Sequence, residues 1–397
     1  MRVLQISHTY PREPADRYGI TMWDQVRALR SEEDVLSDVI APVPWVPWVG
    51  QALSARWRRL AAIAEHACDE GIEVVFPRYG VLPRGLLSQR ARRSFASSVM
   101  RARHEFYTTR TYDLVHAHMA LPDGLAALHI SAKMQCPFVV TMQCTDIDCT
   151  ASKSTRARRQ LATVFEAAAQ VIAPSPRLAR EYHSLFGGAA LTVPYGIHAR
   201  DLHGDPGDVR RDASSAAAIL CVARLIPTKG IDILLHSARQ LLREGVRLHL
   251  VIIGDGPSRE SLRSLAKDLG VDGDVSFLGY LPHREVLKHM AVCDAFVLPS
   301  WRETFGLVYL EAMAAGRPVI AVRGQGVDGI VEEQKTGYLV SPHSVPEVTY
   351  AIRRILSRPD EARCIGMQAR ELVLSRYTWE KCAQATAGIY EEVLRES

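Results

Sequence analysis

Ala295-Phe296-Val297-Leu298-Pro299-Ser300-Trp301-Arg302-Glu303-Thr304-Phe305-Gly306-Leu307-Val308-Tyr309-Leu310-Glu311-Ala312-Met313-Ala314-Ala315-Gly316-Arg317-Pro318 reads as a strand, a loop and a helix in immediate succession. Ala295–Leu298 is short and wholly apolar, as a strand covered on both faces must be. Thr304 suits a helix N-cap, and the pattern predicts a helix over Phe305–Ala315 that stops at Gly316, with Pro318 as a second stop. The start of such a helix offers free N–H groups and a positive dipole end to an anion. Gly306 lets that anion come close.

The same alternation runs outward in both directions. Strands are expected at Val3–Ser7, Glu73–Phe76, Asp113–His118, Phe138–Met142, Gln170–Ala173 and Leu191–Val193 in the first half. In the second they are expected at Ala218–Val222, Leu248–Ile253, Val275–Leu278, Ala295–Leu298, Pro318–Val322 and Gly337–Val340. Strand–helix alternation in both halves implies the α/β class, with two doubly wound parallel-sheet domains. A length of 397 residues suits two cores rather than one. The polar stretch His203-Gly204-Asp205-Pro206-Gly207-Asp208, followed by Arg210 to Ser215, reads as the linker. The boundaries are therefore set at 1–200 and 201–376. Ligands of such folds bind beyond the carboxyl ends of the strands.

Bulk properties exclude several classes. The chain is 47% hydrophobic and 23% charged, as an ordinary globular protein is. Net charge is +4: residues 1–199 carry 23 Lys+Arg against 18 Asp+Glu, and residues 200–397 carry 25 against 26. A nucleic-acid partner calls for a stronger basic imbalance, so none is expected. The eight cysteines form no C-x-x-C pair and suggest neither a zinc site nor a disulfide framework, which points to a reducing, cytoplasmic setting. No apolar run reaches the ~18 residues of a membrane span.

Several motifs follow strands. Glu303 and Glu311 are eight residues apart; if helical, that spacing rises ~12 Å. This exceeds the ~5 to 9.5 Å between paired glycosidase carboxylates, so two separate jobs fit better than one acid–base pair. Arg224 and Lys229, in Arg224-Leu225-Ile226-Pro227-Thr228-Lys229-Gly230, could clamp a diphosphate whose charge grows as a bond to it breaks; otherwise they are surface cations. Gly254-Asp255-Gly256-Pro257-Ser258-Arg259 fails as a dinucleotide fingerprint, because Arg259 stands where the third glycine belongs. Tyr18-Gly19-Ile20 follows the first strand, where Gly19 could bring its N–H to an anion. His116 and His118 end another strand, where a histidine is often a satisfied core group. Asp146-Ile147-Asp148 spells D-x-D, read here as coincidence rather than a metal site.

The long segment quoted first closely resembles the signature of glycosyltransferase family 4, P-S-x-x-E-x-F-G-L-x-x-x-E-A-M-A-x-G-x-P-V-I. R-L-x-x-x-K-G, G-D-G-P, Phe277-Leu278-Gly279-Tyr280-Leu281 and the D-[VI]-[VI]-H-x-H strand end at Asp113–His118 extend the likeness. The resemblance implies a GT-B architecture: two Rossmann-like domains facing a cleft, with the donor in the C-terminal one. It also implies that the closing segment from Arg376-Tyr377-Thr378-Trp379, residues 377–397, crosses back to the N-terminal domain. The implied activity is retaining transfer of a hexosyl group from a nucleotide-sugar, with no cofactor and no metal. By resemblance Glu303 contacts the donor sugar and Glu311 the ribose. Arg224 and Lys229 hold the diphosphate, joined by backbone at Gly19, Phe305, Gly306 and Leu307. Tyr280 lines the base, and His118 faces the donor sugar and acceptor.

Besides the family's G-G-I loop, where Tyr18 replaces the first glycine, the chain departs from the family pattern in three places. Gln143-Cys144-Thr145-Asp146 replaces H-G-[ST]-D, so Gln143 on the acceptor side can donate a hydrogen bond but carries no proton. Tyr195-Gly196-Ile197-His198 replaces N-G-[IV]-D, and Gln325-Gly326-Val327-Asp328-Gly329 replaces G-G-x-P-E. These changes bear on sugar and acceptor choice.

The first half also carries Trp45 and Trp48, a stripe of Leu53, Trp57, Leu60 and Ala64 with Arg56, Arg58 and Arg59 off it, and seven arginines within 84–110. Such a pattern suits either an anionic membrane surface or a core-facing stripe with a solvated back. The expected partners are a nucleotide-sugar donor, a lipid-linked or glycan acceptor of the kind used in cell-surface polysaccharide or glycolipid synthesis, and the inner face of a membrane. Two alternatives stand beside this: a nucleotide-sugar epimerase of the same fold, and a non-catalytic sugar-nucleotide-binding partner subunit.

Overall fold

A computed structural model describes residues 1–12, 19–80, 88–198 and 216–397. Tyr18, Arg84 and the expected linker at 203–215 lie outside the described residues, as do the side chains of Leu53, Arg56 and Arg90. The chain divides into two compact units. Unit 1 comprises Met1–Pro174, Leu178–Tyr195 and Trp379–Ser397, and unit 2 comprises Ser175–Arg177 and Gly196–Thr378. The chain changes unit at Tyr195–Gly196 and returns at Thr378–Trp379, against the expected 200/201 and 376/377.

Unit 1 holds β1 (Arg2–Ile6), β2 (Leu36–Ile40), β3 (Val43–Pro44), β4 (His66–Asp69), β5 (Ile72–Val75), β6 (Arg78–Tyr79), β7 (Leu114–Ala117), β8 (Phe138–Thr141), β9 (Gln170–Ala173) and β10 (Leu191–Thr192). Its main sheet runs β10-β9-β8-β7-β1-β2-β5-β4. Every pairing in it is parallel except β4 with β5. Strands β2, β3, β4 and β6 were not expected. The mostly exposed antiparallel edge strand β4 has no apolar run to betray it.

Unit 2 holds β11 (Ala217–Val222), β12 (Leu248–Ile253), β13 (Val275–Gly279), β14 (Ala295–Val297), β15 (Val319–Val322) and β16 (Tyr338–Val340). All are parallel, in the order β13-β12-β11-β14-β15-β16. Central strands such as Ala295-Phe296-Val297 are wholly buried, which explains their unbroken apolar character.

Both sheets reverse direction once. In unit 2 the chain builds outward from β11 through β12 and β13, then returns to place β14 on the other side of β11. In unit 1 it builds outward from β1 through β2 and β5, then places β7 on the other side of β1. At such a reversal the loops after the two central strands diverge to opposite faces and leave a crevice, the usual ligand position of open α/β sheets. The crevices lie after β11 and β14 in unit 2, and after β1 and β7 in unit 1.

Unit 1 is completed by the last helix, Trp379–Glu396, packed along helix Ile20–Glu33. Gln25 Nε2 donates to Thr386 Oγ1 at 3.2 Å, and the Tyr390 hydroxyl lies 2.6 Å from His116 Nδ1. No helix among the described residues is long and apolar enough to cross a membrane.

Candidate active site

The crevice of unit 2 collects most of the residues singled out in the sequence. After β11 the loop is pinned by its neighbours. Leu225 N donates to Asp255 O and Ser258 N to Leu225 O, both at 3.0 Å. Gly254 and Gly256 are required there because a Cβ would lie 1.9 Å from Ala223 O or 2.4 Å from Leu225 O. The glycines of G-D-G-P thus allow one loop to lie on the other, and the pair holds up Arg224. Arg224 is exposed and forms no ion pair among the described residues. Further on, Trp301 N donates to Thr228 O at 3.1 Å, tying the β11 loop to the β14 loop.

Lys229 and Glu303 meet across this crevice, with Lys229 Nζ 2.7 Å from Glu303 Oε2. Glu303 is buried. Its other carboxylate oxygen accepts from Thr304 N at 3.2 Å. Its backbone is bracketed by the third departure from the family pattern: Glu303 N donates to Gln325 Oε1 and Gly326 N to Glu303 O, both at 3.1 Å. Gly326 packs so closely that a Cβ would sit 2.5 Å from Phe305 N.

The helix begins later than the sequence suggests. It spans Leu307–Ala314, and its N-cap is Gly306 rather than Thr304. Gly306 adopts φ 84°, ψ 55°, a left-handed conformation that Thr304 could not supply without strain. A Cβ at Gly306 would also lie 2.7 Å from the Tyr309 ring and 3.3 Å from Glu303 Cγ. Phe305 is buried beneath this turn, while Leu307 is half-buried. Glu311, inside the helix, is held by a partner the sequence reading missed: His283 Nε2 lies 2.8 Å from Glu311 Oε1. His283 opens helix His283–Val292 just beyond β13, so its strand-end position was the available signal. Tyr280, in the preceding loop, is exposed.

In unit 1, Gly19 takes φ 85° at the start of helix Ile20–Glu33, and a Cβ there would collide with Thr9 O. His118 follows β7 and is buried. The expectation that its N–H meets a substrate hydroxyl needs correcting for this structure. Nε2 pairs with Gln5 Oε1 at 2.8 Å, and Nδ1 is buried without a hydrogen-bond partner. The His116 ring lies 4.2 Å away, centroid to centroid. Burial lowers the His118 pKa to about 3, so the ring is neutral.

Gln143 and Tyr195, noted separately as departures, touch each other. Gln143 Nε2 donates to the Tyr195 hydroxyl at 2.7 Å and to His118 O at 3.2 Å. Tyr195 is buried against Trp379. The two substitutions thus form one polar contact. Asp146 of the D-x-D is a structural group: its buried carboxylate accepts from Ala120 N at 3.0 Å, Leu121 N at 3.2 Å and Gln143 N at 3.0 Å. Burial pushes its pKa up to about 6 against the pull of those donors. Among the described residues, no cluster of three or more His, Cys, Asp or Glu side chains could hold a metal.

Two sheets, one wholly and one almost wholly parallel, each with a crevice at its reversal, define a double Rossmann-like protein. Its fold is shared, at a TM-score of 0.79 and 22% identity over 100% of both chains, with sucrose-phosphate synthase from Thermosynechococcus elongatus. Residues 52–200 match Glycosyltransferase Family 4, and residues 211–372 match Glycosyl transferases group 1. A D-inositol 3-phosphate glycosyltransferase of Acidothermus cellulolyticus is 30% identical over 334 residues, 76% of this chain and 72% of the relative. The chain belongs to the family 4 type of glycosyltransferases. Another relative, a GDP-mannose-dependent alpha-(1-6)-phosphatidylinositol monomannoside mannosyltransferase of Mycobacterium tuberculosis, is 34% identical over 220 residues, 52% of this chain. That match spans only 57% of the relative's own length.

Proposed function

We propose that this protein is a retaining glycosyltransferase that moves a hexosyl group from a nucleoside-diphosphate sugar to an acceptor hydroxyl, without a metal. The observation that carries the proposal is the Lys229–Glu303 pair, 2.7 Å across the crevice of unit 2, with exposed Arg224 on the adjoining loop. Lys229 and Arg224 supply positive charge for a diphosphate. Glu303 supplies a fixed carboxylate for sugar hydroxyls, and the Leu307–Ala314 helix adds unpaired N–H groups. As the sugar–phosphate bond breaks, charge accumulates on the leaving diphosphate, and these groups stabilise it without rearranging. The acceptor oxygen attacks from the face the phosphate leaves, and a phosphate oxygen takes the acceptor proton. Such a path keeps the anomeric configuration. Glu311, bonded to His283, takes the ribose in this reading.

The mycobacterial relative's name joins GDP-mannose to a lipid-borne mannoside, which supports a lipid-linked or glycan acceptor; a place at the inner face of a membrane is part of the same proposal. Trp45 and Trp48 are exposed, as are Arg58, Arg59, Arg93 and Arg101. The basic set available for a membrane is smaller than the sequence suggests. Arg92 bonds Gln160, Arg103 donates to Arg110 O, and Arg110 pairs with Asp38 and Glu73.

A thermal-shift series with UDP, GDP and ADP, each with and without EDTA, tests the donor site. At least one nucleotide should stabilise the protein in EDTA, and Lys229→Ala should abolish the shift. No stabilisation by any of the three would overturn the reading. NMR of the product's anomeric signal then decides retention, and product isomerisation without acceptor would favour an epimerase.

A further inference from the structure

We infer that His8, held by the buried carboxylate of Asp123, is the group of unit 1 that receives an acceptor hydroxyl. His8 lies just beyond β1 and Asp123 in the turn after β7. The pair therefore bridges the two strands between which the sheet of unit 1 reverses. This is the topological counterpart of the Lys229–Glu303 pair in unit 2, and the inference rests on the glycosyltransferase reading given above.

The geometry is that of an oriented imidazole. Asp123 is fully buried, and its Oδ1 accepts the backbone N–H of His8 at 3.1 Å. The same carboxylate lies 2.9 and 3.1 Å from His8 Nδ1. Main chain and ring are thus fixed by one group, with Phe95 edge-on to the imidazole. A carboxylate on Nδ1 keeps the proton there and raises the basicity of the other nitrogen. Nε2 makes no hydrogen bond to any described residue, and 21% of the side chain is exposed. In the neutral ring Nε2 is then a free acceptor, on a residue just beyond β1 at the reversal of the sheet, where ligands of this fold bind. By contrast, His118 and His116 have no accessible nitrogen: both rings are buried, and three of the four nitrogens are already paired. Of the three histidines after β1 and within or after β7, only His8 can reach a ligand.

Holding a hydroxyl by its hydrogen requires neutral His8. Burial lowers the ring's pKa, but the charge and hydrogen bond of Asp123 outweigh it; Asp146 adds to the rise and Arg12 opposes it. The result is a pKa above 6.5. Acceptor binding should therefore weaken as pH falls through a value above 6.5, while nucleoside-diphosphate binding in unit 2 does not follow that titration.

Two variants separate this role from a structural one. His8→Asn keeps a donor near the Nδ1 position and can still bond Asp123, but it has nothing at Nε2. His8→Gln reaches the Nε2 position and loosens the tie to Asp123. With GDP-mannose and UDP-glucose as donors and myo-inositol and glycerol as hydroxyl probes, His8→Asn should raise the probe's KM about tenfold, the loss of one hydrogen bond. It should also abolish the acid limb, with the nucleotide thermal shift unchanged, while His8→Gln stays nearer to the parent. The reverse order, or an acid limb that survives in His8→Asn, would overturn the assignment. A readout independent of turnover is the imidazole nitrogen spectrum of the 15N-histidine-labelled protein, with His8 assigned by its absence in His8→Asn. The Nδ1-protonated tautomer is expected at pH 8, with an Nε2 signal that moves on addition of either probe. An Nε2-protonated ring or an unmoved signal sinks the inference, whereas a parent protein unaffected by every nucleoside diphosphate sinks the glycosyltransferase reading instead.

Discussion

Replacing His118 by Gln should make unit 1 less sensitive to acid. His118 is buried and its pKa is held near about 3, whereas an unfolded histidine titrates near about 6.5. A folded-state pKa below the unfolded one means that the unfolded chain binds the proton first. The associated stability is present above pH 6.5 and is lost as pH falls towards the folded value. Between pH 7.5 and pH 5 the expected loss from this one group is about 2 kcal/mol. His116, also buried and lowered well below its usual value by burial and by the neighbouring His118, adds a loss of the same sign. Asp146 works the other way: its pKa is raised to about 6, so it favours the folded state as pH falls and offsets roughly 1 kcal/mol over the same interval. The net acid sensitivity of the parent is therefore a poor readout, and the difference between parent and variant is the informative one. Urea unfolding followed by the near-ultraviolet signal at pH 7.5 and pH 5 measures it. The parent should lose about 2 kcal/mol more than His118→Gln between the two pH values. Parallel pH profiles would show that His118 is solvated or already protonated in the folded protein, and the buried-neutral description would fall.

Three other outcomes are expected. Gly306→Ala combines a left-handed φ with a Cβ 2.7 Å from the Tyr309 ring; it should cost about 1–3 kcal/mol in thermal unfolding and weaken nucleotide binding by displacing Glu303. Gln143→His and Tyr195→Asn should be non-additive, with a coupling of about 1 kcal/mol in a double-mutant cycle of unfolding free energies, because each removes the other's partner at 2.7 Å. His283→Ala should weaken nucleoside-diphosphate affinity roughly threefold to tenfold by calorimetry, the effect of freeing one orienting hydrogen bond on Glu311.

Most of the fold was legible because parallel strands covered on both faces leave an unbroken apolar run. Leu248–Ile253 and Gln170–Ala173 have the bounds read from the sequence. Strand β4 was invisible because an exposed edge strand has no such run, and β3 and β6 are two residues each. The helix at Leu307 was placed two residues early because N-cap chemistry favours Thr304, whereas the turn is set by the positive φ of Gly306. In the candidate site, residues within a spaced motif could be singled out: Glu303, Glu311, Arg224 and Lys229. Residues whose importance lies in one long-range contact were missed, although His283 does follow a strand. His8 meets Asp123 across 115 positions, and His283 meets Glu311 across 28. Nothing in either sequence neighbourhood announces the partner. Gln143 and Tyr195 stood out as departures, but only their contact shows that they depart together.

The return of the chain to unit 1 at Trp379 has a consequence for biosynthesis. Unit 2 is nearly continuous and has all its strands once Thr378 is made. Unit 1 begins first yet lacks the Tyr390 hydroxyl beside His116, and the Thr386 contact to Gln25, until the final helix leaves the ribosome. The later-made unit can therefore mature before the earlier-made one. Until residues 379–396 are made, helix Ile20–Glu33 lacks the neighbour that packs along it, so the first-made sheet is the last to gain its full cover.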